Sequence, residues 1–475
     1  MKNTQNLTSI PDLSQSESDN IQAAISSLRG TLVAWNYSYI DTPLLEPADI
    51  FLRKSGEAFT WETYNLIDSH GDRFVLRPEF TSSVARHILG ARHGTIFPIR
   101  KCYSGQVFRN DTSNEEPRQF SQVGAELVGI GTVDGDAEVV ALAIASLQQL
   151  GYTNLQVNIG NVGIASSLLQ QFGLSDRTIA LLLSRLDWLT DIEKSAEEIQ
   201  QQIGRSQSLP TSGVASNDER LEADGAILLS LLSDADNPVI GSRTLEEIVE
   251  RYMARIGAYP DIDRTQSALQ FLSEFTAIQG PLDECLNLAA QLVERWQLAP
   301  NDLNWIAKFR LRLAEYGVSD VIINGDFSLT HDVRYYTGMV FEILSSSSNS
   351  TSWRSVTNGG RYDNLYCSLG SLEDIPALGF AHSIEALTDS NSGSDTDPRP
   401  DLFTEAGLLI IPRNEQAVRL ALERATRQRL TGVRVGILFD HEEPFDLIGY
   451  AKDNNIQRIL WIDQDGIEKD QDIDE

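Results

Sequence analysis

Strand-like segments alternate with helical ones in the first third of this chain, helical periodicity alone takes over from about residue 164 to 315, and strands then return. That break constrains the fold more than any single motif. Before it, "YNLIDSHGDRFVLRP" (64–78) reads as a hairpin, and "FPIRKCYSGQVFRND" and "RQFSQVGAELVG" read as two further strands. After it, strand character resumes at "VSDVIINGDFS", "YYTGMVFEI" and "SVTNGGRYDNLY". The expectation is a mixed, mainly antiparallel α+β sheet domain flanked by helices and interrupted by a helical insertion.

Residues 1–19 are polar and read as a disordered tail, and the sheet domain covers 20–390. Inside it, Ile21, Ile25, Leu28, Leu32 and Trp35 recur at helical spacing, and "TSSVARHILGAR" reads as a helix with Thr81 or Ser82 as its N-cap. "SQSLPTSGVASNDERLEADG" (206–225) and "SSSSNSTS" (345–352) read as loops. A polar linker, 391–402, leads to a small domain at 403–475. Its β-α-β-α-β pattern calls for a parallel sheet, and an acidic tail closes it.

Charge narrows the function classes. Lys and Arg number 38 against 68 Asp and Glu, a formal net charge of -30, which on average repels a polyanion such as RNA. Cys102, Cys285 and Cys367 lack any paired spacing, so neither a disulfide framework nor a metal site is suggested. No apolar run approaches a membrane span and no leader segment stands at the start, so a reducing cytoplasm is the expected location.

Four stretches hold the candidate site residues. "LRPEFTSSVAR" (76–86) places Glu79 in a strand-to-helix turn, beside Thr81. "FRNDTSNEEPRQFSQVGAE" (108–126) supplies Arg109, Gln122 and Glu126, the last two sharing strand parity and so one sheet face. "DFSLTHDVRYYTGMVFEI" (326–343) supplies Tyr335 and Tyr336, and "NGGRYDNL" with "PALGFAHSIEAL" adds a Gly-rich turn and a strand-to-helix junction. Carboxylates, an amide and phenols on one face suit a small zwitterion; a solvated sheet face is the plainer reading of the same residues.

Together and in this order the four stretches resemble the histidyl-tRNA synthetase family, with its class II synthetase fold. "LRPEFT" is similar to that family's LRPEGT, "FRND…RQFSQVGAE" to its second class II motif, "YYTGMVFE" to its histidine signature, and "GGRYDNL…GFAHSIEAL" to its third motif. Pro43 stands where the dimer-forming first motif has its proline. The resemblance implies histidine binding by Glu79, Thr81, Arg109, Gln122, Glu126, Tyr335 and Tyr336.

Two positions depart from the pattern. Synthetases hold phosphate groups with arginine forks. The arginine of the histidine signature is His331 here, followed by Asp332, and the third-motif arginine expected after Glu385 is Ala386. Arg334 lies three residues from His331, on the opposite side of an extended segment. Losing one such contact typically costs roughly 3 kcal/mol of transition-state stabilisation. A site that keeps the amino-acid residues and loses the phosphate ones is similar to the regulatory subunit of ATP phosphoribosyltransferase, a synthetase paralogue. This second resemblance implies a chain with no catalytic residues and no cofactor of its own, bound in a hetero-oligomer to a short-form catalytic subunit. It further implies self-association through the class II dimer interface, L-histidine as ligand, and a part in activity and feedback at the first step of histidine biosynthesis. The alternative, kept open by Arg109, is a divergent histidyl-tRNA synthetase. The small domain is similar to a shortened anticodon-binding domain, but its acidity speaks against tRNA.

Overall fold

The computed structural model describes residues 12–55, 63–91, 96–110, 118–184, 262–300, 303–318, 321–329, 336–346, 353–390, 407–439, 442, 444, 446–466 and 468–473. The chain runs through helix α1 (Gln15–Ala34), strands β1 (Ser38–Tyr39) and β2 (Leu45–Pro47), and helix α2 (Ala48–Ser55). The hairpin β3 (Asn65–Ile67) and β4 (Arg73–Leu76) follows, then α3 (Thr81–Gly90), β5 (Ile99–Phe108), β6 (Gln119–Val128), α4 (Val133–Gln149) and β7 (Leu155–Asn161). Next come α5 (Val162–Gln170), α6 (Asp176–Leu183), α7 (Ile262–Thr276), β8 (Gln279–Pro281), α8 (Leu282–Arg295), α9 (Asn304–Glu315) and β9 (Ile322–Asp326). β10 (Met339–Ser345), β11 (Arg354–Arg361), α10 (Leu365–Ser368), β12 (Ala377–Ser383) and α11 (Ile384–Ser390) complete the body. The C-terminal domain holds β13 (Gly407–Pro412), α12 (Val418–Leu430), β14 (Arg434–Ile437), α13 (Leu447–Asp453), β15 (Ile456–Ile462) and β16 (Glu468–Asp472).

Nine strands form one sheet in the order β1-β5-β6-β12-β11-β10-β7-β9-β8. Only β1 with β5 and β7 with β9 pair in parallel; every other neighbour is antiparallel, as the hairpin-rich sequence implies. Register divides the sheet into two unlike faces. Cys102, Ala125, Phe380, Gly359, Phe341 and Ile159 align across six strands on the face covered by α1, α4 and α11. The row beside it, Lys101, Glu126, Gly379, Gly360, Val340 and Gly160, lines the other face.

Four expectations need correction. The N-terminal helix begins at Gln15, inside the expected tail. Ser14 caps it by accepting the Glu17 N–H while Glu17 returns to the Ser14 N–H, so the polar run is a capping box. The expected insertion, about 164–315, is narrower: the chain divides into one unit of 1–164, 278–293 and 300–475 and a second of 165–277 with 294–299. β8 is a strand of the large sheet, and α9 buries Ile306, Phe309 and Leu313 and packs on α4. Helical periodicity reveals a buried stripe but not which body buries it. The third correction concerns α3. Phe80 stands at its N-cap without a side-chain bond, and the Glu79 carboxylate instead takes the Ser82 N–H, 3.2 Å from each oxygen. Finally, the acidic tail forms β16, antiparallel to β15, on a sheet whose β13–β14 and β13–β15 pairs are parallel as expected. The linker 391–402 and the loop 206–225 lie outside the described residues.

The second unit has its own aromatic centre, where Phe271 packs within 5.8 Å of Phe275 and Trp296 and 5.5 Å of Phe172. Among the described residues no helix is long and apolar enough to cross a membrane.

Candidate functional site

Glu126 is the centre of the site and is 1% exposed, which removes the solvated-face reading. Its Oε1 accepts the Thr81 hydroxyl at 2.8 Å and the Tyr103 phenol at 3.3 Å, and its Oε2 accepts the Tyr362 phenol. Because Glu79 rather than Thr81 caps α3, the Thr81 hydroxyl is left to face the sheet. Burial, reinforced by the Glu126 and Glu79 carboxylates, holds the Tyr103 phenol well above its ordinary pKa, so it stays a donor. Tyr366 is likewise raised, by burial first and then by the Glu126 carboxylate.

Glycines let these side chains lie flat on the sheet. A Cβ on Gly379 would fall on the Glu126 carboxylate. One on Gly124 would meet the Tyr103 hydroxyl at 2.5 Å, and one on Gly360 would meet the Tyr336 ring at 2.7 Å. The three glycines therefore form the floor on which Glu126, Tyr103 and Tyr336 rest, and register explains why: Gly360, Gly379 and Glu126 are direct cross-strand neighbours.

Gln122 shares that face, four residues from Glu126, or ~13 Å along the strand. It is buried, and its Oε1 has no hydrogen-bond partner among the described residues. A buried carbonyl left unmatched is a lasting cost unless a donor arrives. An orphaned amide oxygen at one end and a buried carboxylate at the other suit a ligand with separate donor groups at its two ends. Nearby, Arg109 lies 5.1 Å over the Phe120 ring and its Nε donates to the Pro78 carbonyl at 3.3 Å. Glu385 accepts the Ser121 N–H with both oxygens, at 2.9 and 2.8 Å, which fixes the start of α11 beside β6 and places Ala386 there.

The structure thus gathers Glu126, Thr81, Gln122 and Tyr336 on one face. Glu79 stands at the end of α3, and His331 and Tyr335 lie outside the described residues. Tyr103, Tyr362 and Tyr366 escaped sequence reasoning. The signal for Tyr362 was its place in the Gly-rich turn, two residues after Gly360, but only register aims it at Glu126. Among the described residues no group of three His, Cys, Asp or Glu side chains gathers as a metal site.

A broad, mainly antiparallel sheet with helices on one face and a polar, glycine-floored site on the other defines a class II aminoacyl-tRNA synthetase-like body. A solved Bacillus halodurans structure, described as an ATP phosphoribosyltransferase regulatory subunit/histidyl-tRNA synthetase, shares this fold with a TM-score of 0.56 at 21% identity, covering 97% of this chain and 98% of that one. The family model for histidyl-tRNA synthetase matches residues 9–387, and the chain belongs to that family. It is 26% identical over 432 residues to an ATP phosphoribosyltransferase regulatory subunit of Desulfitobacterium hafniense, covering 90% of each chain. It is 27% identical over 444 residues to a histidine–tRNA ligase of Methanococcus vannielii, covering 93% of this chain and 87% of the relative.

Proposed function

We propose that this chain is a non-catalytic regulatory subunit of ATP phosphoribosyltransferase that binds L-histidine on the Glu126 face and acts on a separate short-form catalytic subunit. The observation that carries this reading is a buried carboxylate and an orphaned amide oxygen on one sheet face, next to a position that lacks the expected arginine. Glu126 is buried among hydroxyl donors and Gln122 awaits a donor, while the residue after the anchored Glu385 is Ala386 rather than arginine. His331 at the second phosphate position supports the same conclusion. In this assignment the ligand's cationic nitrogens meet Glu126 and Gln122, and Tyr336, resting on Gly360, borders the pocket. The relatives named as regulatory subunits, of which the Desulfitobacterium protein covers 90% of the chain, favour it.

The partner is then the short catalytic subunit, in a cytoplasmic complex. We also assign self-association to the sheet β2-β4-β3, where Leu45, Leu66 and Ile67 are exposed, Ile67 by 71%. A divergent histidyl-tRNA synthetase is the second reading, favoured by Arg109 and by the Methanococcus relative.

Histidine-dependent ATP–pyrophosphate exchange separates the two. The regulatory reading expects no exchange above background with saturating ATP and histidine, together with co-purification of a short phosphoribosyltransferase subunit. Robust exchange sinks it.

A further inference from the structure

The first two turns of α4 carry Asp134, Asp136 and Glu138 within a helix that is buried along nearly its whole length. Each carboxylate meets an arginine from a different part of the chain. Arg312 of α9 places Nε 2.5 Å from Asp134 and Nη2 2.8 Å from Glu415, in the turn after β13. Arg361 of β11 gives Nε and Nη2 to Asp136 Oδ1 at 2.9 and 2.8 Å, and Trp305 Nε1 donates to Oδ2 at 2.8 Å. Arg100 of β5 grips both oxygens of Glu138 at 2.8 Å. The same guanidinium reaches the C-terminal domain, with Nη1 3.1 Å from the Tyr450 hydroxyl and Nη2 2.8 Å from the Ile437 carbonyl. Thr132, at the N-cap of α4, donates to Glu442 at 3.0 Å.

Two of these arginines therefore bind the C-terminal domain, and the third adjoins the pocket. Arg361 and Tyr362 are consecutive and serve opposite faces, Arg361 bonding α4 and Tyr362 bonding Glu126. Arg361 also holds the pocket loop, since its carbonyl accepts the Thr337 N–H at 2.8 Å. A buried ion that loses its partner is strongly penalised, so each arginine and its carboxylate move together. The three carboxylates ride on one helix.

The geometry points to α4 as a transmission element: the state of the Glu126–Tyr362 site is linked, through Arg361–Asp136 and Glu138–Arg100, to how firmly the C-terminal domain is held. Histidine as the natural input rests on the proposed function; the linkage itself does not. It gives the chain a route by which a filled pocket changes a distant surface, and by reciprocity a partner on that surface changes affinity in the pocket.

Hydrogen exchange of the full-length chain tests it, read at the amides of α13, the helix that carries Tyr450. Tyr362→Phe on the pocket side and Tyr450→Phe on the domain side form a double-mutant cycle that needs no ligand. The expected result is that Tyr362→Phe speeds exchange in α13, and that the double variant departs from the product of the single effects by about threefold or more. Trp305→Phe, which removes one bond to Asp136 and leaves its ion pair, should shrink that departure; Asp136→Asn should abolish it if the variant folds. Wild-type exchange in α13 of Tyr362→Phe, with effects that simply multiply, overturns the proposal. Added L-histidine should slow α13 exchange in the wild type. A positive cycle without any histidine response upholds the linkage and refutes histidine as its input.

Discussion

Glu126 and His382 show how one sheet uses a buried polar residue in two ways. Glu126 is ringed by hydroxyl donors and faces the site, so its charge is available to a cationic ligand. Glu126→Gln keeps an acceptor oxygen and removes the charge. A hydrogen bond to a charged group is worth about 1.5–3 kcal/mol, so histidine affinity should fall roughly tenfold or more while the fold persists. Calorimetry checks this, and an unchanged affinity would count against the pocket assignment. His382 lies on the helix face, fully buried between Ser146 Oγ at 2.8 Å and Thr357 Oγ1 at 2.6 Å. Ser146 gives its proton to the Ala143 carbonyl, so it accepts from Nε2–H, and Thr357 donates to Nδ1. Burial lowers the His382 pKa from 6.5 to about 3. The unfolded chain takes the proton first, so stability present above pH 6.5 is lost as pH falls toward 3, by ~1.4 kcal/mol per pH unit. Chemical denaturation of His382→Gln across that range should show this slope removed.

The strands explain why some of the site was legible and some was not. Parity alone puts Gln122 and Glu126 on one face, because side chains alternate along any strand. Tyr103 and Tyr362 reach Glu126 only through the pairings Tyr103↔Gly124 and Gly360↔Gly379, and register between distant strands has no local signature. The acidic turns of α4 were similarly opaque. Carboxylates in an apolar helix signal burial with partners, but the arginines lie in β5, α9 and β11, far away in sequence. The glycine floor carries its own prediction. Gly379→Ala would drive a methyl into the Glu126 carboxylate and the Ala125 carbonyl, and backbone cannot yield as a side-chain tip does. Overpacking of this kind costs about 1–3 kcal/mol. A lower melting temperature with histidine binding lost is expected; a wild-type melt with normal binding would show that the floor is not needed.

Across the whole molecule, the formal charge of -30 is unevenly placed. The acidic tail is structural, since Arg458 of β15 pairs with Asp470 and Asp472 of β16. Asp134 and Glu138 of α4 are matched by arginine, and burial raises Glu442, which accepts from Thr132, from 4.5 to about 7. Asp134 and Glu138 push in the same direction, while Arg100 and the Phe439 N–H oppose it. A carboxyl raised in this way binds its proton more tightly in the folded chain than in the unfolded one. Its contribution is therefore whole below pH 4.5 and fades as pH rises through about 7. His382 acts in the opposite sense between 6.5 and about 3, so the two slopes oppose each other between pH 4.5 and 6.5 and flatten the wild-type profile there. Glu442→Gln cannot titrate and should uncover the His382 slope, with stability rising with pH across that window. The variant should also gain on the wild type between pH 5 and pH 8. Urea denaturation at constant ionic strength reads both effects, and parallel profiles for the two proteins would show that Glu442 keeps an ordinary carboxylate titration when the C-terminal domain is docked.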